Sequence, residues 1–237
     1  MRGVGAWSRH SSGGLTLGLG EAEVLCLPAG GLWLQSEAAL VVADLHLEKG
    51  SAFAARGQLL PPYDTGDTLN RLEVEVTAHA PRVIVLLGDT FHDGGAEGRL
   101  CSRDAARVTA LGRGRTLIWI LGNHDADGPR ALPGERLAAL SLGGLSLIHE
   151  PALAARSGEV AGHLHPCAKV AGVGGSVRRR CFITDGERLI LPAFGAYAGG
   201  LNVRDPVIGA LLGGARLAGV LGRSRVHPVP WKALRGD

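Results

Sequence analysis

Four cysteines, Cys26, Cys101, Cys167 and Cys181, are all that this 237-residue chain contains, and none stands in a CxxC pair. Their spacing matches no zinc pattern, and in a chain this long they are expected to stay reduced in the cytoplasm. Long apolar runs are missing too. The longest, such as 38–43 and 117–121, are strand-sized, far short of the ~20 residues of a membrane span. The opening stretch MRGVGAWSRHSSGG has no apolar core of signal-peptide length. No membrane partner is therefore expected. Aromatics make up only 4%, and lysine numbers 3 against 22 arginines. With 37 glycines and much alanine, that imbalance reads as a coding bias, so the arginine count alone says little. No low-complexity linker or internal repeat divides the chain. One domain over 1–237 is expected, with the Gly/Ser-rich residues 1–20 frayed.

What is present is a globular composition, 46% hydrophobic and 20% charged. The net charge of +3 is unevenly spread: residues 161–237 carry +7 and residues 1–160 carry −4. Such asymmetry fits a nucleic-acid face or merely a solvated basic surface.

The pattern predicts a hairpin from Val24–Leu27 and Leu32–Leu34, then buried strands at Ala39–Ala43, Val83–Leu87, Leu117–Leu121 and Leu145–Ile148. Helices are predicted over 65–79, with Leu69, Leu72 and Val76 on one face, and over 102–112, with Ser102 as N-cap. A short helix is expected at 135–141. Beyond residue 160 the pattern turns to short β segments at 168–173, 177–184 and 188–192. The order suggests an α/β sandwich with helices outside.

Five apolar strands run into polar residues of one chemical type. They lead to Asp44-Leu-His46, Gly88-Asp89, Gly122-Asn123-His124-Asp125, His149, and Gly162-His163-Leu164-His165. Strand ends of a layered α/β domain can converge on one rim, where ligands bind. Carboxylate, imidazole and amide donors without thiolate suit manganese, iron, zinc or magnesium. Residues two apart at a strand end point the same way, so each of the two pairs can reach one ion. The seven donors exceed what one cation takes and suit two ions about 3.5–4 Å apart. A single Asp-x-His or Gly-Asp is commonplace; five such signals in order are not. His10, His79 and His227 read as surface residues.

The motifs DLH, GDTFHD, GNHD, LIHE and GHLH resemble the calcineurin-like binuclear metallophosphoesterase superfamily. VADLHLEKGSAFAARGQLLPPYDT, AGHLHP, RRRCFITDG and LPAFGAYAGGLNVRDP extend the likeness over roughly residues 32–206. There the chain is similar to the ligase-associated DNA-damage-response endonucleases of the PdeM type. That resemblance implies an αββα four-layer sandwich, two mixed β-sheets flanked by helices, with no cap domain. It implies two divalent ions, manganese foremost: Asp44, His46 and His165 on the first, Asn123, His149 and His163 on the second, and Asp89 bridging. A metal-bridging hydroxide would attack the phosphodiester, with His124 as general acid or electrostatic stabiliser. His92, Asp93, Asp125 and Glu150 are candidates for orienting the ligand imidazoles. Arg178, Arg179 and Arg180, with Lys169 and Arg204, would track DNA, single-stranded or structured. Phe194 and Tyr197 could stack on bases, and Arg56 could meet a substrate phosphate. A DNA ligase and a helicase are the implied partners. The alternatives are a phosphomonoesterase or cyclic-nucleotide phosphodiesterase with the same site, and an inert scaffold on the same fold.

Overall fold

The computed structural model describes residues 6–154, 157–172 and 174–237. The first half of the chain builds one sheet. Its strands are β1 (Trp7–Arg9), β2 (Leu15–Leu19), β3 (Ala22–Cys26), β4 (Leu32–Leu34) and β5 (Ala39–Ala43), joined antiparallel. Helices α1 (Lys49–Ala54) and α2 (Asp64–His79) lead to β6 (Val83–Leu87), and α3 (Ala96–Arg99) and α4 (Ser102–Leu111) lead to β7 (Thr116–Ile120). With β8 (Glu135–Leu137) these add in parallel beside β5, in the order β5-β6-β7-β8.

The second half builds the other sheet. It takes β9 (Ala139–Leu142), β10 (Leu145–Ile148), β11 (Glu159–Ala161), β12 (Pro166–Gly172), β13 (Gly175–Thr184), β14 (Arg188–Ile190) and β15 (Leu201–Asn202). Helix α5 (Pro206–Leu211) precedes β16 (Leu217–Leu221), β17 (Val226–Pro230) and β18 (Leu234–Arg235). The order is β15-β12-β13-β14-β11-β10-β9, with β16 and β18 also pairing to β13 and β12.

Side-chain alternation sorts each strand between two cores. Val41, Val85 and Ile118 face Leu147, Val160, Phe182 and Leu189 across the gap between the sheets. Leu40, Val42, Ile84 and Leu86 face outward onto Leu69 and Leu72 of α2 and Val108 and Leu111 of α4. A third cluster packs Cys181, Ile183 and Ile190 against Ile208 of α5. These are the helix–sheet–sheet–helix layers expected, and strands covered on both faces explain the unbroken apolar runs.

Helix α2 starts with Asp64 and Asp67 at its positive end and stops at Ala80, left-handed at φ 45°, just before Pro81. Among the described residues no helix is long and apolar enough to cross a membrane.

Three expectations are corrected. Residues 7–9 and 15–19 are paired strands rather than a frayed end, because Leu15, Leu17 and Leu19 alternate into the intersheet core; residues 1–5 of that stretch lie outside the described residues. Residues 135–142 are two edge strands, not a helix: β8 pairs with β7, and β9 pairs with β10, so sheet pairing overrides local propensity. Ser102 lies inside α4, and the cap is Cys101, in an extended conformation.

Candidate metal centre

The parallel strands β5, β6 and β7 of the first sheet and β10 and β11 of the second all end at one rim. Backbone bonds tie their exits together: Asp44 N–H donates to Gly88 O, His46 N–H to Asp89 O, and Gly162 N–H to His149 O. The closeness is steric. A Cβ on Gly88 would overlap the His149 ring, and one on Gly122 would overlap the Asp89 carboxylate and backbone nitrogen. Gly88 also has φ 74°, which glycine adopts without strain.

The rim brings together all seven expected donors. His46 Nε2 lies 3.1 Å from His165 Nε2, and His165 Nε2 lies 3.4 Å from Asp44 Oδ1. In the second group Asn123 Oδ1 is 3.0 Å from His149 Nε2 and 2.9 Å from His163 Nδ1. Asp89 stands between them, with Oδ2 3.9 Å from His46 Nε2 and 3.4 Å from His149 Nε2. Its other oxygen accepts the His124 N–H at 2.9 Å.

These spacings match the edges of a coordination shell. Donors about 2.1 Å from a cation and at right angles to one another lie about 3 Å apart. Hydrogen bonding explains the triangle of Asn123 Oδ1, His149 Nε2 and His163 Nδ1 less well, since one shared proton cannot serve every edge. Asp44, His46 and His165 form one group able to hold a metal, and Asp89, His149 and His163 another.

The backbone carries a second sign. Asp44, His46, Asp89, His163 and His165 all have positive φ, between 43° and 69°. Left-handed non-glycine residues cost about 1–3 kcal/mol each and gather at functional sites. This also revises how the pairs work. Asp44 and His46 lie beyond the strand end and are aimed by two left-handed kinks around buried Leu45, rather than by strand pleating. His163 and His165 repeat the device.

Titration suits cation binding. Burial, then the neighbouring His165, pushes His46 down to about 3, so its imidazole is neutral near pH 7. Burial would raise the Asp89 carboxyl, but the hydrogen bond and charge of His149 hold it at about 2. Burial works against a charged His149, yet the Asp89 hydrogen bond and the Asp44 charge outweigh it and raise this imidazole above the usual range. At His149 a proton therefore competes with a cation for the ring.

His124 is exposed beside the pair. Its Nδ1–H donates to the His92 carbonyl at 2.7 Å, while Nε2 lies 4.0 Å from Asp89 Oδ2. The His92 ring stacks on it at 5.4 Å. So His92 orients an imidazole through its backbone oxygen, which no side-chain motif announces.

The other expected supports act differently. Asp125 accepts the Phe91 and Gly122 N–H groups, each at 3.1 Å, and so shapes the turn. Asp93 pairs with Arg99 at 2.8 Å, and Glu150 is exposed with no hydrogen bond to an imidazole among the described residues.

The basic residues divide. Exposed Arg56 follows α1 and acts electrostatically on His92, as does Lys49, which the motifs did not single out. Arg180 is a structural arginine, donating to the carbonyls of Ala193, Ala196 and Ala198. Arg178 donates to Gly200 O, Arg179 is exposed, and Lys169 pairs across the strands with Arg178. Arg204 covers the Trp231 ring at 4.8 Å. Phe194 is wholly buried and cannot stack on a base; Tyr197 is half-buried. The cavity that Arg178–Arg180 line contains none of the seven donors.

Residues 39–194 match the calcineurin-like phosphoesterase family, and the chain belongs to that family. It is a metal-dependent phosphoesterase with His/Asp metal-site groups. The crystal structure of Pseudomonas putida nuclease MPE aligns with 94% of this chain and 100% of its own, at 24% identity and TM-score 0.68, a likeness of fold. The E. coli phosphoesterase Yfce aligns over 83% of this chain and 99% of its own, at 16% identity and TM-score 0.39. Among curated proteins no match is found.

Proposed function

We propose that the protein is a divalent-metal phosphodiesterase that cuts DNA internally, with manganese as its preferred metal, and that it serves DNA repair. The observation that carries this reading is two donor groups at one rim with Asp89 between them, 3.9 Å from His46 and 3.4 Å from His149, and His124 exposed beside them. Asp44, His46 and His165 would hold one ion, Asn123, His149 and His163 the other, and the Asp89 carboxylate would serve both. When bound, the ions supply positive charge to the phosphodiester oxygens and acidify the attacking water. Asp44 and Asp89 offset only two of the four positive charges, which favours the more anionic transition state.

His124 delivers a proton to the leaving oxygen. Its Nδ1–H is tied to the His92 carbonyl, which fixes the ring and leaves Nε2 on the side of the metal centre, 4.0 Å from Asp89 Oδ2. Lys49 and Arg56 place positive charge on the same side. The choice of DNA rests on the family resemblance, the basic final third of the chain, and a fold shared with a bacterial nuclease. Repair beside a ligase and a helicase rests on that resemblance alone.

The test is hydrolysis of single-stranded DNA, duplex DNA, a mononucleotide and a cyclic nucleotide, with Mn, Mg and Zn compared. Internal cutting of DNA, fastest with Mn, is expected. Turnover of the mononucleotide or the cyclic nucleotide alone would overturn the nuclease reading.

A further inference from the structure

Away from the metal centre lies a cavity of about 630 Å³ lined by Arg71, Arg178, Arg179, Arg180 and Arg223, with Glu75 as the one acidic side chain on its wall. Two of these arginines have structural work. Arg71 donates to Phe194 O and Ala29 O, and Arg180 to the three carbonyls of the 193–198 segment. A guanidinium has five N–H donors, so both keep some in reserve. The rest are held more loosely: Arg178 donates to Gly200 O, and Arg179 to the neighbouring Arg178 carbonyl at 3.2 Å. Arg223 sits exposed on the turn between β16 and β17, and Arg179 is exposed on β13. Arg178 pairs across the strands with Lys169, and Lys169 with Arg235, which places three like charges in a row. Such a row is unfavourable, and Asp237 beside Arg178 offsets only part of it.

Charge compensation is thin. Glu75 is shared with His79 at 3.5 Å, and Asp237 reaches Arg178 at 3.5 Å. One peptide segment separates this cavity from the metal centre. Arg178 holds Gly200 O, and the next residue, Leu201, donates its N–H to the carbonyl of His165. At Gly199 a Cβ would touch nothing, so the segment is open there.

We propose that this cavity is a second phosphate site, which grips the backbone of a nucleic-acid strand beyond the phosphate being cut, the strand crossing at Gly199 and Gly200. It rests on the reading of the metal centre as a DNA phosphodiesterase, but its test is a binding measurement that needs no cutting. Guanidiniums suit phosphate oxygens through paired N–H donors.

The experiment uses the metal-loaded full chain and a fluorescent phosphorothioate dT20, with affinity read by anisotropy across a salt series. Arg223 touches no structural partner among the described hydrogen bonds, so Arg223→Glu and Arg223→Ala should fold. Charge reversal should weaken dT20 binding about tenfold or more, and the neutral variant by less. The slope of log affinity against log salt should shrink by about 0.7 per lost phosphate contact. A phosphorothioate dinucleotide, too short to reach both sites, should bind all three proteins alike. Unchanged affinity and slope for dT20 would overturn the second site, whether or not the protein cuts DNA. Equal weakening for the dinucleotide would also overturn it, because the cavity would then take small free phosphates rather than a strand. Weakened dT20 binding by a protein that cuts no DNA would support the site and sink the nuclease reading alone.

Discussion

His124 sits where binding and chemistry separate. Its neighbour Asn123 faces His149 and His163, while its own ring is held by the His92 carbonyl at 2.7 Å. His124→Ala should keep both metals and the fold while losing about 10²–10⁴ in rate on DNA. A p-nitrophenyl phosphodiester needs less help with its leaving group, so its loss should be smaller; equal losses, or a lost metal, would remove the general-acid role. His149 gives a second prediction. Asp89 raises its imidazole above the usual range, so protonation competes with metal binding there. Metal affinity, followed by calorimetry, should rise as pH climbs through the neutral range, with proton release on binding. The donors themselves were legible from their types and strand-end places. Their left-handed backbone was not, because histidine and aspartate do not announce φ as glycine does.

At the scale of elements, the segment Ala193–Gly200 is the part that sequence reasoning misread. It runs along the exit of β5, with Phe194 N–H donating to Ala43 O and Gly195 N–H to Asp44 O. Arg180 closes it from behind through three carbonyls. Three consecutive arginines look alike in a sequence, yet the fold turns Arg180 inward and leaves Arg179 exposed. Leaving buried carbonyls unpaired costs about 1–3 kcal/mol each. Arg180→Ala should therefore lower stability by about 3 kcal/mol, a fall in Tm of roughly 6–12 °C. It should also slow hydrolysis of a small chromogenic diester, because Asp44 loses its support. Arg179→Ala should leave Tm unchanged. Equal Tm values for the two variants, by scanning calorimetry, would contradict this division. The β1 and β2 strands were missed although Leu15, Leu17 and Leu19 alternate, because the glycines around them read as fraying.

Over the whole molecule, two sheets of opposite halves of the chain meet so that their strand exits share one rim. Donors 119 residues apart, His46 and His165, come within 3.1 Å. The layer order was legible because β5, β6 and β7 are apolar on both faces. The pairing of β8 and β9 at the two sheet edges was not, since edge strands carry a weaker pattern. Another long-range tie was invisible as well. The wholly buried Arg188 and Glu159 pair at 2.6 Å, and Arg188 also holds the Ala152 carbonyl just after His149 and Leu211 O at the end of α5.

In the proposed centre Asp89 would serve two ions at once. Metal content per chain, measured on purified wild type and on Asp89→Ala, tests this most directly. Two ions in the wild type and loss from both sites in the variant, with the circular dichroism unchanged, are the predicted result. A single ion in the wild type, or the same content in Asp89→Ala, would contradict it.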